Sequence, residues 1–369
     1  MPSYISSIGT AVPRHQISQD KILDFMLRHL PLSEEQQHEL RLLYRASGIK
    51  TRHSVVADYG TDHPETYEFY PKDEGLYPIP SVDERMRFYE SNALDLSVSA
   101  VNNCLDGEKI KGDKITHLIT VSCTGMQAPG LDISLIPALR LRTDVIRSTV
   151  NFMGCYAAIL ALRQADQILK SDHKAKVLIV CVELCSIHFQ QSVSEDDLLA
   201  GALFADGAAA VLVEGSTKRG KQLELLSFYS DLDLDARDEM SWKISQSGFL
   251  MRLSPEVPAA IQKGIKGLMT RLLKKISLTS EQVDYYAIHP GGKKILEVIE
   301  KEVGISKMDN FHSYEVLRAY GNMSSPTVLF VIKKLLEELE EQETSKNILS
   351  FAFGPGLTLE SMMLKTHFT

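Results

Sequence analysis

Three residues of this 369-residue chain, Cys155, His289 and Asn322, are of types that can act together as nucleophile, base and hydrogen-bond donor. Cys155 follows a glycine and precedes an apolar run through Ala161, Leu162, Ala165, Ile168 and Leu169, which reads as a buried helix. A thiol at a helix N-terminus meets free N–H groups and the positive end of the helix dipole, and both favour its thiolate. Plain packing is the competing account, because buried unreactive cysteines are common. His289 ends an apolar strand-like run and is followed by Pro-Gly-Gly, a turn where backbone and ligand can approach closely. An imidazole held against the thiol takes its proton and leaves a thiolate–imidazolium pair; otherwise His289 is a structural core histidine. Asn322 stands in Tyr320-Gly-Asn-Met-Ser-Ser325. Its amide and the imidazole together make a two-donor hole for a developing oxyanion, or else Asn322 only caps the helix that follows.

Elements with a repeated order must carry these residues. In the first half, a β-rich strand over 115–121 is followed by Cys155 at a helix start and then by a strand over 176–182. In the second half, a strand over 283–288 ends at His289. Asn322 opens a helix with Val328, Ile332, Leu335 and Leu339 on one face, and a strand over 347–353 ends in Gly354-Pro-Gly356. The interval from Val121 to Cys155 is 34 residues and that from His289 to Asn322 is 33. This is internal repetition of βαβ-like units, with a linker at Gly215–Gly220 between residues 1–214 and 222–369. Two such halves packed face to face bring both helix starts, and His289, to one crevice. Upstream, Ser33-Glu-Glu-Gln carries a capping-box pattern, and residues 57–82 read as an irregular surface loop.

Composition narrows the function. A net charge of −8 with no Lys/Arg block speaks against nucleic-acid binding. No basic-then-apolar leader and no apolar run of spanning length are visible. Five cysteines without a CxxC pair, namely Cys104, Cys123, Cys155, Cys181 and Cys185, fit a reducing cytoplasm better than a disulfide framework or a zinc site.

Gly154-Cys155, Ile288-His-Pro-Gly-Gly292, Tyr320-Gly-Asn-Met-Ser-Ser325, Phe353-Gly-Pro-Gly-Leu-Thr358 and Leu203-Phe-Ala-Asp-Gly-Ala-Ala-Ala210 resemble the signature segments of type III polyketide synthases. This is the chalcone/stilbene synthase family of the thiolase superfamily, and the similarity runs in order from Tyr4 to Leu364. The resemblance implies an α/β protein with a thiolase-like five-layered αβαβα fold built from two similar halves, acting as a homodimer. It implies an acyltransferase in which Cys155 is acylated by an acyl-CoA starter. His289 and Asn322 then stabilise the enolate formed when malonyl-CoA loses CO₂. CoA thioesters are substrates, and no metal or organic cofactor is implied. Phe204 falls on the family's gatekeeper phenylalanine, and Ser324, Gly354 and Pro355 fall in pocket-lining segments.

Departures from the plant pattern point away from a chalcone product. Met251 replaces a second gatekeeper phenylalanine. Ala128 replaces a methionine that plant enzymes insert into the neighbouring subunit's cavity, and Cys123 and His188 replace cavity threonines. Trp242 replaces a glycine, as in bacterial and fungal relatives that make alkylpyrones and alkylresorcinols. A long acyl starter is the expectation. Arg45, Lys50, Arg52 and Lys294 are the candidate cations for the CoA phosphates. The alternatives are a ketoacyl synthase that initiates fatty-acid synthesis, whose histidine segment differs from His-Pro-Gly-Gly, and, from another class, a Cys–His peptidase.

Overall fold

The computed structural model describes residues 2–73, 75–106 and 110–368. Its strands are β1 (Tyr4–Ala11), β2 (His15–Ser18), β3 (Thr51–Ser54), β4 (His117–Ser122), β5 (Ile146–Asn151), β6 (Lys176–Leu184), β7 (Asp206–Glu214), β8 (Lys221–Leu232), β9 (Met240–Ser245), β10 (Gly248–Leu253), β11 (Tyr285–Ile288), β12 (Asn347–Gly354) and β13 (Thr358–Phe368). The helices are α1 (Gln19–His29), α2 (Glu34–Ala46), α3 (Val82–Leu105), α4 (Leu131–Ala138), α5 (Ala157–Ser171), α6 (Glu195–Leu203), α7 (Val257–Lys275), α8 (Lys293–Val303), α9 (Phe311–Tyr320) and α10 (Thr327–Glu338).

The two halves meet through one sheet. Its order is β11-β12-β13-β8-β1-β7-β6-β4-β5, and β1 joins β8 at only Tyr4–Glu224 and Ile5–Leu223. Strands β4 and β6 pair in parallel, as do β11 and β12, whereas β6–β7 and β12–β13 are antiparallel. The second half thus repeats the first except at the edge, where β5 has no counterpart among the described residues.

Alternation along the strands builds the layers. In β6, Val177, Ile179 and Cys181 face α5 and α10, while Leu178, Val180 and Val182 face the side covered by α3. Strand β12 does the same with Ile348 and Ala352 inward, and Leu349, Phe351 and Phe353 toward α7 and α8. A period of two with both faces apolar requires cover on both sides. The result is α3, sheet, α5 with α10, sheet, then α7 with α8: five layers around three apolar cores. Close approach of α3 to β1 needs Gly9, since a Cβ there would lie 2.2 Å from the Ala100 carbonyl oxygen. Among the described residues no helix is long and apolar enough to cross a membrane.

Two expectations are corrected. Residues 57–82 are irregular, with residue 74 outside the described set, but they do not simply lie on the surface. Buried Asp58 accepts N–H groups of Glu68, Phe69 and Tyr70, which folds the loop around Tyr59, Tyr67 and Tyr70. The helix expected to open at Asn322 begins at Thr327. Helices α6 and α9 and the β9–β10 hairpin lie in stretches whose apolar spacing is broken by glycine and charge, and the sequence reading passed over them.

Candidate active site

Cys155 lies in a 3₁₀ turn, Gly154–Tyr156, that runs directly into α5. Gly154 has φ +75°, and a Cβ on it would lie 2.2 Å from Cδ of Pro355. The nucleophile turn of the first half therefore sits against Gly354-Pro-Gly356 of the second, and only glycine fits. Gly354 is packed in the same way, its Cα facing the Tyr156 ring. On the other side, the Gly154 N–H points to Cys123 Sγ at 3.0 Å.

His289 ends β11 and is held by its N–H to the Phe351 carbonyl at 2.8 Å. Asn322 is held by backbone and side chain together. It forms an isolated parallel bridge with Phe204. Its Oδ1 accepts the Ser324 N–H at 2.8 Å, and its Nδ2 donates to the Gly291 carbonyl at 3.2 Å. Those two bonds fix which way the amide faces and leave one Nδ2 hydrogen over. The Asn322 side chain thus orients itself through Ser324 and Gly291 and caps no helix.

Cys155, His289 and Asn322 line one cavity, with Phe204, Met251, Trp242, Cys123, Ser324 and Pro355 also in its wall. The Cys155 thiol is 4.0 Å from Asn322 Oδ1. Neither ring nitrogen of His289 has a hydrogen-bond partner among the described residues. No Cys155–His289 hydrogen bond is made among the described residues. Burial pushes the Cys155 thiol up to about 12, with the nearby Glu183 carboxyl adding to it, and hydrogen bonds to Ser324 and Asn322 only partly offset this. Burial alone pushes the His289 imidazole down to about 3. Desolvation penalises the charged form of an acid and of a base alike. Burial thus disfavours the charged form of each group.

A second cavity adjoins the first and shares Cys185, Phe204, Trp242 and Met251 with it. Its far side includes Ile22 and Met26 of α1, Tyr59 and Phe189. His188 lines this second cavity, not the first. Its Nε2–H donates to the Thr124 carbonyl at 2.7 Å, and its Nδ1 accepts the Phe249 N–H at 3.1 Å. Trp242 is tied back by its indole N–H to the Cys123 carbonyl at 2.7 Å. Ala128 is exposed and lines neither cavity of its own chain.

A surface groove meets the first cavity at Leu253, Gly291 and Ile295. Lys294 lines it, as does Lys293, which the sequence reading missed although it is adjacent. Arg45 and Lys50 are exposed but outside the groove lining. Arg52 is corrected: it is 4% exposed, donates from Nη1 to main-chain carbonyls, and lines the second cavity and not the groove. Also missed was Glu183, fully buried, which accepts from the Cys123 N–H, the Thr124 hydroxyl and the Ser325 hydroxyl. A lone glutamate ending an apolar strand was its only signal.

Five layers with a cysteine from one half and a histidine and asparagine from the other define a thiolase-fold protein with an acyl-transfer type of centre. The family models for the chalcone and stilbene synthases match residues 2–217 (N-terminal domain) and 231–367 (C-terminal domain), and the chain belongs to this family of type III polyketide synthases. The crystal structure of PKS-I from the brown alga Ectocarpus siliculosus superimposes with a TM-score of 0.92 at 28% identity, over 99% of this chain and 98% of that one. The alpha-pyrone synthesis polyketide synthase-like Pks18 of Mycobacterium tuberculosis is 29% identical over 97% of this chain and 90% of its own length. The probable polyketide synthase 1 of Dictyostelium discoideum is 32% identical over 98% of this chain, which spans only 11% of that much longer protein.

Proposed function

We propose that this chain is a polyketide-forming acyltransferase that loads an acyl-CoA starter on Cys155 and extends it with malonyl-CoA. The observation that carries this is the shared cavity of Cys155, His289 and Asn322, with the amide fixed and the imidazole without a partner among the described residues. In loading, sulfur attacks the starter carbonyl as its proton leaves through His289 to the departing CoA thiolate. Because burial disfavours both charged forms, proton transfer accompanies attack. In extension, the bond from malonyl carbon to carboxylate breaks and CO₂ leaves. The electron pair moves onto the thioester oxygen, which accepts hydrogen bonds from His289 N–H and the spare Asn322 Nδ2–H. The enolate carbon then attacks the Cys155 thioester, forming the new C–C bond and expelling the sulfur. CoA thioesters supply all the groups, and the reaction as written uses no cofactor.

The groove at Lys293 and Lys294 is the approach for the CoA arm, with those lysines nearest its phosphates. The adjoining second cavity supports a long acyl starter and an alkylpyrone- or alkylresorcinol-type product, and the name of the mycobacterial relative points the same way. A homodimer working in the cytoplasm completes the reading, and edge strand β5, exposed at Ile146, supports a second copy.

The test is a panel of acyl-CoA starters with malonyl-CoA, read by mass spectrometry of products and of the acylated protein. Acyl adducts on Cys155 with medium- and long-chain preference support the proposal. Clear preference for 4-coumaroyl-CoA refutes the starter assignment, and no CO₂ or CoA release from malonyl-CoA refutes the synthase reading.

A further inference from the structure

The last turn of α6 ends in carbonyls that no helix bond satisfies. Each has a partner from elsewhere. The Gly201 carbonyl accepts from Tyr44 Oη at 3.0 Å and Arg52 Nη1 at 2.8 Å. The Ala202 carbonyl accepts from Gln19 Nε2 at 2.8 Å, and the Leu203 carbonyl from the Asn322 N–H at 2.9 Å. The Phe204 carbonyl accepts from the same Arg52 Nη1 at 2.7 Å. A guanidinium at this end also meets the negative pole of the helix.

The segment that carries Arg52 is fastened to a second place as well. The Lys50 N–H donates to the Arg318 carbonyl at 2.8 Å, and the Thr51 hydroxyl to the Ala319 carbonyl at 2.8 Å. Both carbonyls lie in the last turn of α9, just before Asn322. Between them, Gly321 has φ +71°, and a Cβ on it would lie 2.9 Å from Arg52 Cγ. The Arg52 side chain therefore runs across the Cα of Gly321 and ends on the Phe204 carbonyl. It spans the two chain segments whose meeting is the Phe204–Asn322 bridge.

We infer that Arg52 is a positioning residue: it splices the end of α6 to the end of α9, and so sets both Asn322 toward the enolate oxygen and Phe204 in the wall between the two cavities. The inference rests on the proposed role of Asn322 in malonyl-CoA decarboxylation. Arg52 lies in the wall of the second cavity, but its hydrogen bonds run from Nη1 to main-chain carbonyls, and it acts on Asn322 and Phe204 through them. The charge cluster read from sequence as phosphate-binding has, at this position, an internal task.

The experiment is steady-state CO₂ release from malonyl-CoA without starter, for the wild type, Arg52→Met and Arg52→Lys. For Arg52→Met the expectation is a kcat lower by about 100-fold, the scale of a misplaced catalytic group, with KM within about threefold of wild type. Arg52→Lys keeps the methylenes that lie over Gly321 and a cation, but loses the planar guanidinium that reaches both the Gly201 and the Phe204 carbonyls. It should fall between, with kcat down about fivefold at unchanged KM. A raised KM with unchanged kcat in either variant would restore a CoA-phosphate role and overturn the inference. Unchanged kcat and KM with only a lower melting temperature would reduce Arg52 to a structural residue, and would overturn it too. Should Arg52→Met not fold, Arg52→Lys decides by the same criteria. A wild type that releases no CO₂ overturns the synthase reading and this inference together, whereas an active wild type with indifferent variants overturns this inference alone.

Discussion

Pro355 rests on Gly154: its Cδ occupies the place a Cβ of Gly154 would take, 2.2 Å away. The contact joins the nucleophile turn of one half to the Gly-Pro-Gly turn of the other, so the position of Cys155 depends on both. For Gly154→Ala we expect loss of both activity and stability, because the new methyl meets a proline ring and φ +75° disfavours an L side chain. The cost should be about 2–4 kcal/mol, read as a lower urea midpoint, with starter loading on Cys155 reduced at least about tenfold. Wild-type loading in the variant would show that the two turns are not coupled.

Asn322→Asp keeps the acceptor for the Ser324 N–H but places a carboxylate oxygen against the Gly291 carbonyl and removes the spare N–H. Loss of one oxyanion donor lowers decarboxylation by about 10²–10³-fold. Acylation of Cys155 by a starter, which does not pass through the enolate, should fall much less. Equal losses in both steps would argue against an enolate role for the amide.

His188 is locked neutral by its two hydrogen bonds, and burial pushes it down to about 3, a tendency its bond to Thr124 only partly opposes. A folded-state value below the unfolded 6.5 contributes stability that is complete above pH 6.5 and drains away as pH falls toward 3. In His188→Gln, whose amide can make both bonds, that contribution is absent. Between about pH 6 and 4 the wild type should lose about 1.4 kcal/mol per pH unit more than the variant. Parallel pH profiles from denaturant melts would rule this out.

Met251 pairs with Trp242 across the β9–β10 hairpin, and both stand in the wall shared by the two cavities. Methionine can swing aside where a ring cannot. Met251→Phe should therefore shift starter preference toward shorter acyl-CoAs, lowering kcat/KM for long chains about tenfold or more while short chains change little. An unaltered chain-length profile would mean that the acyl chain does not cross this wall.

Much of the site was legible because its motifs need particular backbones. Glycine at 154 and 321 marks positive φ with close neighbours, and His289-Pro-Gly-Gly marks a strand end. The five layers were legible from the resemblance and from strands apolar on both faces. Helix α6 was not, because its partners are Gln19, Tyr44 and Arg52, which lie some 150 residues away or more and give no local signal.

Sequence by itself determined the inventory: one cysteine at a helix start, a histidine at a strand end, an asparagine beside a glycine, and a repeat that brings them together. Tertiary structure alone decided their states. Whether Cys155 and His289 are charged depends on how deeply the two halves bury them, and burial is the largest influence on each. Whether Arg52 meets a phosphate or a main-chain carbonyl depends on which distant segments cover it, and no pattern of neighbours along the chain encodes that burial.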